Sequence, residues 1–226
     1  MAMDDERRTS VTSLVAGVEL TETTRLEAFS DGVFAVAITL LVLDIRVPVA
    51  TTAHDGSLLG ALASLWAHYL AYGISFLFIL IMWVNHHRMF QLIHRSDHAL
   101  LLLNGVLLLL VALVPFSTAL LAEYINSPRL ADQKVAALVY NGVYVVIAIV
   151  FNLLWRHAAQ GQRLLAPDAH QGETDAITRG YVRGPVFYAL AFVLALVNVP
   201  ASVLLNVALA VYWALPPRRR VRLRPR

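Results

Sequence analysis

Three polar side chains interrupt an apolar stretch that is long enough to cross a membrane. Ser30, Asp31 and Thr39 lie within a mostly hydrophobic run over residues 29–49. Polar groups at membrane depth are costly, and they mark ion or substrate paths or pair with other protein groups. We therefore expect Asp31 to be buried and paired. The alternative is that Ser30 and Asp31 cap the helix by accepting its first backbone N–H groups.

One side of this first hydrophobic helix is an apolar stripe with a hydroxyl at its edge. At about 100° per residue, several apolar side chains fall on one face, and Thr39 flanks them. These apolar residues are Val36, Leu40, Leu43 and Val47. Asp44 follows on the same helix and either adds a carboxylate that concentrates cations or pairs with Arg46. The periodicity by itself is also compatible with ordinary helix packing.

Three histidines raise the rival interpretation of a membrane metalloenzyme. His87, His94 and His98 would share one face if the second helix continued that far, and imidazole is a ligand for zinc or iron. Residues 95–97 instead have the form of a turn and a helix N-cap, which would break that face. The sequence has no HExxH motif. We expect no enzyme activity, no metal and no cofactor other than a permeant ion.

The composition is that of a membrane protein. Residues AVILMFWYC make up 58% of the 226 positions and charged residues 15%, against about 45–50% and about 25% in soluble domains. The sequence contains no cysteine, so it has no disulfide framework. Its polar start lacks the apolar core of a signal peptide, and we expect the first span to be retained.

Six stretches are apolar enough to cross a bilayer, which needs about 20 residues per helix. They cover approximately residues 29–49, 58–86, 100–121, 135–155, 186–199 and 201–215. The last two are short and are separated by Pro200, which predicts a tight helical hairpin, with one long kinked helix as the alternative. Residues 160–179 are expected to form the longest loop, and it is polar.

The distribution of basic residues predicts that both termini lie in the cytoplasm. With six spans and the N-terminus inside, only Arg46, Arg129 and Lys134 of the 18 Lys and Arg residues fall outside. The expected organisation is a cytoplasmic segment (1–24), a six-helix membrane domain (25–215) and a basic cytoplasmic tail (216–226). Arginines concentrated in that tail favour contact with lipid headgroups over nucleic acid.

The start of the first span resembles a known family. Arg25, Phe29, Ser30 and Asp31 spell the RxxxFSD signature of the transmembrane protein 175 family. Its animal members are lysosomal potassium channels, and its bacterial members are single-repeat relatives. The similarity continues in WVNHHRMF (83–90), in LLLLVALVPFSTALLAEY (107–124) and in the six-span layout.

This resemblance implies a homotetrameric, weakly selective potassium channel of a bacterial plasma membrane, in which four first spans line the pore. The family pattern places the narrowest ring at Val36 and a hydroxyl ring at Thr39, with Leu40 and Leu43 on the same stripe. Valine is smaller than the isoleucine or leucine common in the family, so we expect a looser or wetter constriction. The sequence has no TVGYG-like carbonyl filter, so selectivity must come from side-chain rings.

The resemblance also implies that the signature residues tie the first span to its neighbours through the second. The expected partners are Trp83 and either His86 or His87, with Asn85 as a further candidate. Alternatively, Trp83 anchors the helix at the membrane interface and the histidines form a solvated helix end. A secondary transporter or proton pathway is the other functional alternative, although Pro115 is a helix break without a counterpart in a second half.

Overall fold

The computed structural model describes residues 23–48, 57–167 and 171–215, which are almost entirely helical. Helix α1 covers Thr23–Asp44, and its last four residues, Leu41–Asp44, form a 3-10 helix. The helices that follow are α2 (Leu58–Ser64), α3 (Trp66–Phe90), α4 (His98–Tyr124), α5 (Leu130–Ala159), α6 (Gln171–Val197) and α7 (Val199–Ala214). Most of the predicted N-terminal segment and the whole basic tail lie outside the described residues.

Six of these helices are apolar enough to account for the predicted spans. Within the described residues, α1, α3, α4, α5 and α6 each have the length and hydropathy to cross a membrane. Helix α7 is apolar but has only 16 residues, which corresponds to a length of about 24 Å. The prediction of an all-α integral membrane fold is confirmed.

The helices differ from the predicted spans mainly at their ends. The stretch over 58–86 is divided at Leu65, and α3 then continues to Phe90. The predicted loop over 160–179 is too long, because it holds a 3-10 turn, Gln160–Gln162, and the first turns of α6. An apolar run identifies only the part of a helix that lies in hydrocarbon, and helices continue into the hydrated interface.

The last two helices form the predicted hairpin. Asn198 separates them in an extended conformation, and its side chain caps α7 by accepting from the Ala201 N–H at 2.9 Å. Pro200 occupies the first turn of α7, where no helical N–H is lost. Across the hairpin, the Ser202 hydroxyl donates to the Ala191 carbonyl at 2.8 Å. A single kinked helix is therefore excluded.

Helix α5 forms the centre of the bundle. It buries Trp155, Tyr140 and Tyr144, and the Tyr144 ring lies 4.9 Å from that of Phe78 on α3. It packs against α4, α6 and α7, whereas the 3-10 end of α1 packs against α3 and α4. Helix α1 therefore lies at the edge of the described bundle, with one side uncovered by its own chain.

Asp97, in the connection between α3 and α4, is the N-cap of α4, as the sequence predicts. The Asp97 carboxylate accepts from the Leu100 N–H at 2.8 Å, from His157 Nε2 at 3.0 Å and from Arg163 at 3.2 Å. The backbone hydrogen bond first, and then His157, hold the pKa of Asp97 below its ordinary value. His94 lies beyond the end of α3, and no cluster of three metal-binding side chains occurs among the described residues.

Candidate pore-lining helix and its polar anchor

A buried hydrogen-bond chain connects α1 to α4 and α3. The Asn104 amide donates to Ser30 Oγ at 3.0 Å, and its oxygen accepts from His86 Nε2 at the same distance. Ser30 in turn donates to the Leu26 carbonyl one turn earlier in α1. Ser30, Asn104 and His86 all have 0% exposure. Since unpaired polar groups are costly in hydrocarbon, this chain holds the three helices in one relative arrangement.

A second set of contacts lies beside this chain and also joins α1 to α3. Trp83 Nε1 donates to Asp31 Oδ1 at 2.9 Å, and the Trp83 ring stacks on His87 at a centroid distance of 5.9 Å. His87 Nδ1 lies 2.8 Å from Glu27 Oε1, and Gln91 donates to the other ring nitrogen. Asp31 is half-buried rather than fully buried as expected, and it is paired as expected, with the indole of Trp83 as its partner.

The anchor corrects several sequence interpretations. The backbone is already helical at Thr23, so Ser30 and Asp31 lie two turns inside α1 and the capping alternative is wrong. Both histidines take part, one with α4 and one with α1, rather than one or the other. Arg25 is exposed and makes no ion pair with the described acidic residues.

Two members of the anchor were missed from the sequence, Asn104 and Glu27. Asn104 is the one amide within LLLLNGVLLLL on α4, and a lone polar residue at that depth is itself a signal for a polar partner. Glu27 carries no comparable signal because it lies near the polar start of α1. Asn85 takes part through its backbone carbonyl, which accepts from the Tyr181 hydroxyl at 3.0 Å, and its side chain is not a member of the anchor.

The two sides of α1 differ sharply in burial. One side packs into the core, where Phe34, Ala37 and Leu41 are each 1% exposed. The other side carries the predicted stripe, and its apolar residues are uncovered by the rest of the chain. Their exposed fractions are 56% for Val36, 43% for Leu40 and 71% for Leu43. Val47 is 91% exposed, but it lies beyond the end of α1 at Asp44, so its predicted place on the helical stripe is wrong. The stripe is therefore not packed within its own chain.

Thr39 is also exposed, and its hydroxyl donates to the Val36 carbonyl at 2.9 Å. This intrahelical bond uses the hydroxyl proton, so the oxygen lone pairs point away from the helix backbone and are free to accept or to contact a cation. Phe29, 64% exposed, continues the same face toward the start of the helix. Asp44 is half-buried and forms no ion pair with Arg46 in the structure.

These features define a multi-pass helical membrane protein. Polar contacts fix one helix, α1, at the edge of the bundle, and one face of that helix is uncovered. Residues 25–115 match the family model described as endosomal/lysosomal potassium channel TMEM175. A potassium channel of Chamaesiphon minutus is 54% identical over 202 residues, covering 89% of this chain and 98% of that protein. A potassium channel of Streptomyces collinus is 44% identical, covering 86% of this chain and 92% of that protein.

The fold agrees with these sequence relationships. The crystal structure of a lysosomal potassium-selective channel TMEM175 homolog from Chamaesiphon minutus matches with a TM-score of 0.77 and 52% identity. That match covers 86% of this chain and 97% of the other. The chain belongs to the TMEM175 family.

Proposed function

We propose that this protein is a potassium-permeable, weakly selective cation channel of a bacterial plasma membrane. The observation that carries the proposal is the uncovered stripe of α1, which is apolar, is held outward by a buried polar anchor and is accompanied by Thr39. Two relatives that are similar over nearly their whole length are named potassium channels, which supports the permeant ion.

The proposed assembly is a homotetramer with α1 at its centre. One uncovered helix face cannot enclose a water-filled path, so the path requires copies of the chain around a common axis. Four α1 helices would then present Val36, Leu40 and Leu43 to one another as successive rings. Apolar rings gate by excluding water when the helices are close, and Val36 is assigned the narrowest ring.

Selectivity in this proposal comes from side chains. A ring of four Thr39 hydroxyl oxygens would replace part of the hydration shell of a cation, which discriminates less strongly than a backbone carbonyl filter. Modest preference for K⁺ over Na⁺ follows. The excess of arginine in the connections on one side supports an orientation with both termini in the cytoplasm.

Liposome reconstitution with a K⁺ gradient tests this function. Purified protein should carry K⁺ flux that does not saturate, and replacing K⁺ by Na⁺ should lower the flux without abolishing it. Discrete single-channel steps would exclude a secondary transporter. Saturable uptake with a fixed coupling ion would instead contradict the channel proposal.

A further inference from the structure

An open groove of about 500 Å³ lies between the end of α5 and the early part of α6. Its walls include Leu153, Arg156 and Gln160 of the α5 end and Thr178 of α6. Trp155 Nε1 donates to the Thr178 hydroxyl at 2.9 Å and fixes this wall. None of these residues belongs to the polar anchor or to the α1 stripe.

The groove lies where membrane hydrocarbon gives way to headgroups. Helix α5 has 30 residues, which corresponds to a length of about 45 Å and exceeds the roughly 30 Å of hydrocarbon. Leu153, which is 49% exposed, lies one turn before Arg156 on the same face. An apolar contact and a positive charge therefore lie next to each other at the membrane boundary.

The positive charge at this place is not balanced within the described part of the chain. Arg156 is exposed and lies within 4 Å of no described acidic oxygen, whereas Arg163 nearby pairs with Asp97. Helix α6 adds exposed Arg179 and Arg183 just beyond Thr178, again without ion pairs to described residues. Asp175, an acidic residue on the same part of α6, makes no ion pair with Arg179 or Arg183.

We propose that this groove binds the phosphate headgroup of an anionic membrane lipid. Arg156 supplies the charged contact, Gln160 supplies an amide donor, and Leu153 lies beside the acyl chain. Basic pockets between membrane helices recognise such headgroups through charge and hydrogen bonding. The groove fits a lipid better than a soluble anion because the face of α5 that carries Leu153 continues with exposed Ile149 and Val146.

Native mass spectrometry of the detergent-purified full chain, titrated with phosphatidylglycerol, tests the proposal without requiring ion conduction. Loss of one interfacial arginine corresponds to about fivefold weaker binding, so Arg156→Gln should lower lipid affinity by about that factor. Arg129→Gln is the matched control, since it removes an exposed arginine at the opposite end of α5. Leu153→Asn should also weaken binding of the lipid but not of free glycerol phosphate.

Three results would overturn the lipid site. Unchanged phosphatidylglycerol affinity in Arg156→Gln would show that the lipid does not bind in this groove. Equal weakening by Arg129→Gln would show a general effect of net charge. Full competition by free glycerol phosphate at the same concentration as the lipid would assign the groove to a soluble phosphate. These binding measurements do not depend on K⁺ flux. The lipid proposal can therefore be wrong while the channel proposal is right, and the reverse.

Discussion

Ser30 on α1 and Asn104 on α4 form a buried hydrogen bond of 3.0 Å across 74 residues of sequence. Ser30 and Val36 lie about 120° apart around α1 at 100° per residue. Holding Ser30 against α4 therefore turns Val36 away from the core, where it is 56% exposed. The anchor thus fixes the rotation of α1 and determines which face is available to line a pore.

Asn104→Ala should destabilise the protein because it leaves His86 without its buried partner and Ser30 without a donor. We expect a loss of about 1–2 kcal/mol in the free energy of unfolding. Thermal unfolding in detergent measures the effect. Asn152→Ala is the control, since Asn152 is only partly buried on α5 and has no hydrogen bond to the described residues. Equal destabilisation by both variants would contradict a specific role for Asn104.

Asp31→Ala should reduce stability and tetramer yield more than it changes conduction. The substitution strands the Trp83 indole N–H, which donates to Asp31 at 2.9 Å. Trp83→Phe removes the same bond from the other side, so the double variant should be about 1 kcal/mol more stable than additivity predicts. Strictly additive losses would show that the two side chains do not act as a pair. Stable tetramers of Asp31→Ala with altered selectivity alone would place Asp31 in the pore.

The sequence was sufficient for the fold and for most of the anchor. Apolar runs of about 20 residues located the spans, and the RxxxFSD resemblance pointed to Ser30, Asp31, Trp83 and the histidines. Helix ends were less predictable, because polar residues at the interface continue a helix as readily as they end it. Asn104 was missed because the partner of a buried hydroxyl depends on how distant helices pack, which local periodicity does not encode.

The choice of control on α1 also depends on the structure. Ala37 is adjacent to Val36 in sequence, but it is 1% exposed in the core. A bulky substitution there would disturb packing rather than test the pore. Val42 is a better control, because it is also a valine, is 48% exposed and lies in the 3-10 segment of α1 on a different side from Val36.

Substitutions at Val36 should change basal flux according to size and polarity. Val36→Asn or Val36→Ser should raise K⁺ flux, since a polar ring keeps water in the constriction, and Val36→Phe should lower it. Liposome flux at equal protein density measures these effects. The same changes at Val42 should have less than half the effect. A larger response at Val42 would mean that α1 is rotated relative to the proposed pore axis.

Thr39→Val should narrow the difference between K⁺ and Na⁺ flux while leaving assembly intact. The side chain keeps nearly the same shape but loses the oxygen that can contact a cation, and Thr39 makes its one described hydrogen bond within α1. Paired flux measurements in K⁺ and Na⁺, with native mass measurement of the assembly, separate the two effects. Unchanged K⁺ to Na⁺ ratios would remove Thr39 from the selectivity ring.

The most direct test of α1 as the pore-lining helix uses the absence of cysteine from the natural sequence. Val36→Cys and Val42→Cys each introduce a single thiol at an exposed position of α1, the first on the stripe and the second on a different side of the helix. A charged, membrane-impermeant thiol reagent is applied to reconstituted channels while K⁺ current is recorded. We predict rapid, irreversible loss of current in Val36→Cys and less than half that loss in Val42→Cys. If mass spectrometry shows that the Val36→Cys thiol is modified and the K⁺ current nevertheless persists, α1 does not line the pore.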